Sequence, residues 1–145
     1  MIAGGQFNPA VTLGVIGKVW FNKSGTRKQY LELTLYIAVQ FIGAILGAFF
    51  AYAITNDTFE FEINSDYSLG GAIAIEVLIT SILVCNALIV GDLEESTLMS
   101  TMSIPVSVIG GVLLGGHISG GCMNPFACFA LNFFHALLDE DNTIQ

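Results

Sequence analysis

The chain has 145 residues, 54% of them hydrophobic and 11% charged, with a mean hydropathy of +0.74 and a net charge of −8. Soluble domains carry roughly a quarter charged residues, so this is a membrane composition, and it excludes a disordered chain. Four Lys and Arg against twelve Asp and Glu argue against a nucleic-acid partner, and three cysteines, Cys85, Cys122 and Cys128, make no disulfide framework.

From the N-terminus, Met1 is followed by Asn8 and Pro9 rather than by a basic segment and a long apolar run, so insertion is expected to rely on internal spans. The first apolar segment, Asn8 to Lys18, opens on an Asn-Pro pair. Asn is a good N-cap and Pro suits the first helical position, so a helix start is defined there. Ten helical residues reach roughly 15 Å, half of a hydrocarbon core of about 30 Å, which is the length of a re-entrant helix. Three segments long enough to span follow: Leu31 to Ile54, Ala72 to Val90, and Thr97 to Gly116 with Pro105 inside it. In the first of these, Gly43, Ala44, Gly47, Ala48 and Ala51 form small-residue stripes suited to close helix approach. The last apolar segment, Asn124 to Leu138, is again short and again starts at Asn-Pro.

The two short segments belong to an internal repeat. Ile-Ala-Gly-Gly-Gln-Phe-Asn-Pro-Ala at Ile2 to Ala10 is matched by Ile-Ser-Gly-Gly-Cys-Met-Asn-Pro-Phe at Ile118 to Phe126, with five of nine positions identical. Three spans lie between the copies, and an odd number of crossings inverts the second copy relative to the first. Inverted repeats with half helices bring helix N-termini together near the midplane, where they build a polar site in lipid. All four positive charges, Lys18, Lys23, Arg27 and Lys28, sit in the loop after the first half helix, which places that loop in the cytoplasm. The loop Thr55 to Gly71, with Asp57, Glu60, Glu62 and Asp66, then lies outside, and the acidic loop Asp92 to Glu95 inside. Asn56-Asp57-Thr58 is a glycosylation acceptor on the outer side; Asn22-Lys23-Ser24 is expected to stay unmodified.

Gly4 to Gly14, with Asn8-Pro9-Ala10 at its centre, resembles the first signature loop of the aquaporin, or major intrinsic protein, family. Gly121-Cys122-Met123-Asn124-Pro125 resembles the second, and Gln40 to Ala44 and Glu76 resemble parts of the family's third and fourth helices. The resemblance implies an all-α membrane protein, an inverted repeat with two re-entrant half helices, assembled as a homotetramer with a pore in each subunit. Residues 1–145 then form a single, partial domain of three full spans, lacking the first two helices and the last. Six spans and two half helices need roughly 140 residues before any loop is added. Either the chain is part of a longer protein or it is a short subunit that needs a partner.

The resemblance further implies a passive channel for water and small uncharged solutes such as glycerol, urea or ammonia. Asn8 and Asn124 are its two amide donors, within the signature triplets Asn8, Pro9, Ala10 and Asn124, Pro125, Phe126. Two helix N-termini, each worth about +0.5 charge, repel a cation by about 4 kcal/mol at about 4 Å and an effective dielectric near 20. Exclusion of cations by half-helix dipoles is the family's known device. The selectivity region departs from the pattern: Ala127 stands where the family has Arg, Val112 where water-selective members often have His, and Gly121 at a third position. A small apolar lining there implies a wider constriction that admits neutral solutes, with weakened exclusion of protons and cations. The short segment between the last span and Asn124 instead matches water-type members. Phe126 replaces an alanine, and its ring either enters the lumen or packs into the protein.

Glu76 is an ionisable group within a span. The resemblance gives it, and Gln40, the role of supporting the re-entrant backbone, whose N–H groups lipid cannot satisfy. His117 and Cys122 are candidate pore-lining residues. The spacing of His117, Cys122, Cys128 and His135 matches no metal pattern, and neither a cofactor nor an enzymatic constellation is indicated. The competing reading is a truncated, non-conducting membrane subunit, favoured by the absent spans, Phe126 and the absent Arg.

Overall fold

The computed structural model describes residues 5–93 and 97–139. Two expectations reach beyond them: Ile2 to Gly4 of the repeat, and Glu94 and Glu95 of the acidic loop, lie outside the described residues. Among the described residues the chain is helical throughout, in the order α1 (Pro9–Phe21), α2 (Arg27–Thr55), α3 (Leu69–Val90), α4 (Leu98–Ser119) and α5 (Pro125–Asp139).

Local capping chemistry sets the boundaries. Asn8 is extended, at φ −147°, and its Oδ1 accepts from Ala10 N at 2.9 Å, with Pro9 in the first turn. α2 starts at Arg27 rather than at Leu31, because Thr26 and Gln29 form a capping box that draws the basic residues into the helix. At 29 residues it reaches roughly 43 Å, longer than the hydrocarbon core, so its basic first turn projects into the interface. α3 starts at Leu69 under Ser68, whose hydroxyl accepts from Gly71 N. α4 is capped by Thr97, continues through Pro105 and runs on to Ser119, stopping where Gly120 adopts φ 86°. Thus α2, α3 and α4 are long and apolar enough to cross a membrane, whereas α1 and α5 are not. The chain is an integral, multi-pass membrane protein.

α3 and α4 share the most extensive helix contact, α5 packs along α2, and α1 is held between α2 and α3. α4 approaches α3 closely because a Cβ at Gly115 would stand 2.7 Å from Ile79 Cδ1. The α3–α4 pair is also joined by a polar group: Asn86 Nδ2 donates to Ser107 Oγ at 2.6 Å, and Ser103 Oγ donates to Asn86 Oδ1 at 3.2 Å. Ile79, Leu83 and Met123 form the buried centre, with Ile75 and Ile104 against it. Most other large apolar side chains of the three spans face outward, as suits helices whose solvent is lipid. The small-residue stripe of α2 divides: Ala48 is buried, while Gly43 and Gly47 have open space where a side chain would stand.

Contacts between ends fix the topology. An ion pair joins Lys18, near the end of α1, to Asp92, just after α3. Residues 56–68 lie at the opposite ends of α4 and α5: Asn64 N donates to Ile118 O at 3.1 Å, and the Asn132 amide exchanges two bonds with the Phe61 backbone at 2.9 and 3.1 Å. α1 and α5 therefore point in opposite directions from a shared midpoint. Because the basic turn 22–26 and residues 56–68 lie on opposite faces, single cysteines at Ser24 and Glu62, in a chain whose native cysteines are replaced by alanine, will label differently. In right-side-out cells an impermeant maleimide will reach position 62 at once and position 24 only after permeabilisation; equal labelling of both would contradict the topology.

Candidate functional site

The N-termini of the two half helices meet through a reciprocal pair of hydrogen bonds. Asn8 Nδ2 donates to Met123 O at 2.8 Å, and Asn124 Nδ2 donates to Phe7 O at 3.0 Å. The residue before each asparagine is left-handed, Phe7 at φ 48° and Met123 at φ 52°, which turns its carbonyl toward the other loop. Each asparagine also caps its own helix: Asn8 Oδ1 holds Ala10 N, and Asn124 Oδ1 accepts from Ala127 N at 3.4 Å. An amide has two N–H donors, so each asparagine keeps a second one beyond the cross-loop bond.

Behind this contact each loop has its own support. Glu76, on α3, accepts three bonds from the second loop: Ser119 Oγ at 2.7 Å and Cys122 N at 3.1 Å on one oxygen, and Met123 N at 3.2 Å on the other. Gln40 acts elsewhere than expected. It donates to the Thr12 hydroxyl at 2.9 Å rather than binding loop backbone, and Thr12 Oγ1 donates in turn to Gln6 Oε1 at 2.6 Å. Thr12 is fully buried, and neither it nor Gln6 stood out in the sequence, because a Thr inside an apolar helix gives no sign of its partner.

A cavity of about 590 Å³ runs from this contact toward the face carrying Lys18 and Asp92. Asn8 and Asn124 both line it, with Val11, Val15, Leu83, Ile104 and Val108 as apolar wall. His117 and Cys122 do not line it. The His117 ring packs edge-on against Tyr67 at 5.9 Å, and Cys122 lines a different cavity beside Glu76, with Sγ 3.2 Å from Asn124 O. Val112 and Gly121 are neighbours: a Cβ on Gly121, at φ 64°, would stand 3.2 Å from Val112 Cα. Ala127 does not join them and instead lines a groove along α2 with Phe126. Of the two positions open to the Phe126 ring, the structure shows it edge-on to Phe41 of α2 at 5.2 Å.

A family model described as major intrinsic protein matches residues 1–141. The chain belongs to the major intrinsic protein family. It is 33% identical over 138 residues to "Aquaporin-8" of Mus musculus, covering 88% of this chain and 50% of that protein. It is 30% identical over 131 residues to "Aquaporin-2" of Bos taurus (86% and 46% covered), and 27% over 131 residues to the "Aquaglyceroporin" of Toxoplasma gondii (90% and 46%). The chain thus spans about half the length of the curated relatives it matches.

The three bonds on Glu76 make it the most consequential single side chain behind the second loop. Removing it with Glu76→Ala leaves the part-buried N–H groups of Cys122 and Met123 without these acceptors, at up to about 1–3 kcal/mol each. Glu76→Gln keeps one oxygen to accept, so thermal unfolding in detergent will rank the native chain above Glu76→Gln and both above Glu76→Ala; equal melting of all three would show that the loop does not depend on these bonds.

Proposed function

We propose that the complete protein is a passive transmembrane channel for water and small neutral solutes, to which this chain contributes both signature loops and three of the spans. The observation that carries the reading is the reciprocal bonding of Asn8 and Asn124, which places two amide donors and two helix N-termini at one point on a cavity between apolar walls. A neutral molecule that accepts hydrogen bonds is stabilised there. A cation meets about one unit of positive charge, costing about 4 kcal/mol at a separation of about 4 Å and an effective dielectric near 20. A homotetramer with one pore in each subunit is the assembly that goes with this reading.

The family resemblance assigns Ala127 and Gly121 to the selectivity region, and their small size supports glycerol, urea or ammonia as additional permeants, since neither adds bulk or a fixed positive charge. The names of the relatives, aquaporins and an aquaglyceroporin, are compatible with either breadth of substrate.

Stopped-flow light scattering on vesicles containing the full-length protein tests the proposal. Water and glycerol permeability are both expected to rise above those of empty vesicles. Ala127 lines a groove that also reaches Asn124, so Ala127→Arg is expected to lower glycerol flux severalfold while leaving most water flux. No rise in water permeability would favour the non-conducting reading, and a rise in water alone would remove the solute claim.

A further inference from the structure

The turn between α1 and α2 carries features that conduction does not use. In a chain of net charge −8, all four cations fall between Lys18 and Lys28. Lys18 is paired with Asp92, and Lys28 stands 3.8 Å from Glu32. Lys23 and Arg27 are exposed and make no ion pair among the described residues, and no acidic residue offsets them in the first turn of α2. Trp20 and Phe21, which close α1, are 71% and 80% exposed.

The turn is folded and not loose. Lys23 N donates to Trp20 O at 3.1 Å and Ser24 N to Val19 O at 3.2 Å, which lays the turn back over the end of α1. Gly25 permits this, because a Cβ there would meet Val19 and Tyr30 side-chain atoms at 2.5–2.6 Å. The result is a cavity of about 480 Å³ bounded by Trp20, Phe21, Lys23, Gly25 and Tyr30. Its rim combines an exposed indole and phenyl with a cation, and Arg27 lies four residues beyond Lys23. Aromatic rings of this kind settle at the headgroup level of a bilayer, and clustered cations at a cytoplasmic membrane surface select anionic lipid.

We propose that this turn binds the headgroup of an anionic phospholipid of the cytoplasmic leaflet. Trp20 and Phe21 enter the boundary between headgroups and acyl chains, and Lys23 and Arg27 pair with the lipid phosphate and its neighbouring negative charge. Charge complementarity decides the occupant: a zwitterionic lipid offers the aromatic residues the same apolar contact, but its own cationic group offsets its phosphate, so it brings no net negative charge to the two cations. The site is separate from the lumen and independent of whether the protein conducts.

Trp20 is the chain's single tryptophan, so its fluorescence reports the site directly. The chain is placed in phosphatidylcholine vesicles containing equal mole fractions of either brominated phosphatidylserine or brominated phosphatidylcholine. The serine lipid is expected to quench at a severalfold lower fraction, at roughly fivefold preference per cation. Lys23→Ala with Arg27→Ala will remove the difference, whereas Lys23→Arg with Arg27→Lys will keep it, which separates loss of charge from loss of fold. Equal quenching by the two lipids would overturn the proposal, as would a preference that survives the double alanine substitution. Relief of quenching by inorganic phosphate would mark a soluble-anion site and would also overturn it.

Discussion

The bonds from Asn8 to the carbonyl of Met123 and from Asn124 to the carbonyl of Phe7 are the constraint on which the rest of the structure depends. Neither half helix crosses the membrane, so each ends in a region where an unpaired backbone group costs several kcal/mol. The chain resolves this by making the ends meet and letting each satisfy the other. The solution requires a left-handed residue before each asparagine, an inverted second copy, and an odd number of spans between the copies. All three are present.

The surrounding contacts keep the two tips in register. Glu76 fixes the second loop from α3, and Gln40 fixes the first half helix from α2 through Thr12. At the far end of α5, Asn132 pairs with the backbone of Phe61, and His135 lies 3.2 Å from Glu60 and 2.9 Å from Thr58. At the far end of α1 the Lys18–Asp92 pair has the same effect. Each half helix is thereby held at both ends, its tip by the other loop and its tail by a surface loop. A polar site in lipid needs such double anchoring, because a short helix has little packing area of its own.

Much of this was legible in the sequence, and the limits have physical causes. The Asn-Pro pairs, the half-membrane length of two segments and the repeated Gly-Gly-x-x-Asn-Pro pattern read directly as two capped, opposed half helices. Helix ends read less well: α2 gains its first turn from Thr26 and Gln29, a capping box hidden among basic residues where apolar periodicity had not yet begun. Partners were least legible. Nothing local ties Thr12 to Gln40 or Asn132 to Phe61, since these pairs exist only after the helices pack. The ring of Phe126 shows the same limit. Sequence left it between lumen and packing, and its contact with Phe41 depends on how α5 lies along α2.

The central claim, that the two signature loops hold one another, is tested most directly by a double-mutant cycle with Asn8→Ser and Asn124→Ser. Serine keeps the helix cap but is too short to reach the opposite carbonyl. Unfolding free energies of the native chain, both single variants and the double variant should show a coupling of roughly 1 kcal/mol, because breaking one cross-loop bond loosens the other. Additive losses would mean that the loops are held independently, and would contradict the account.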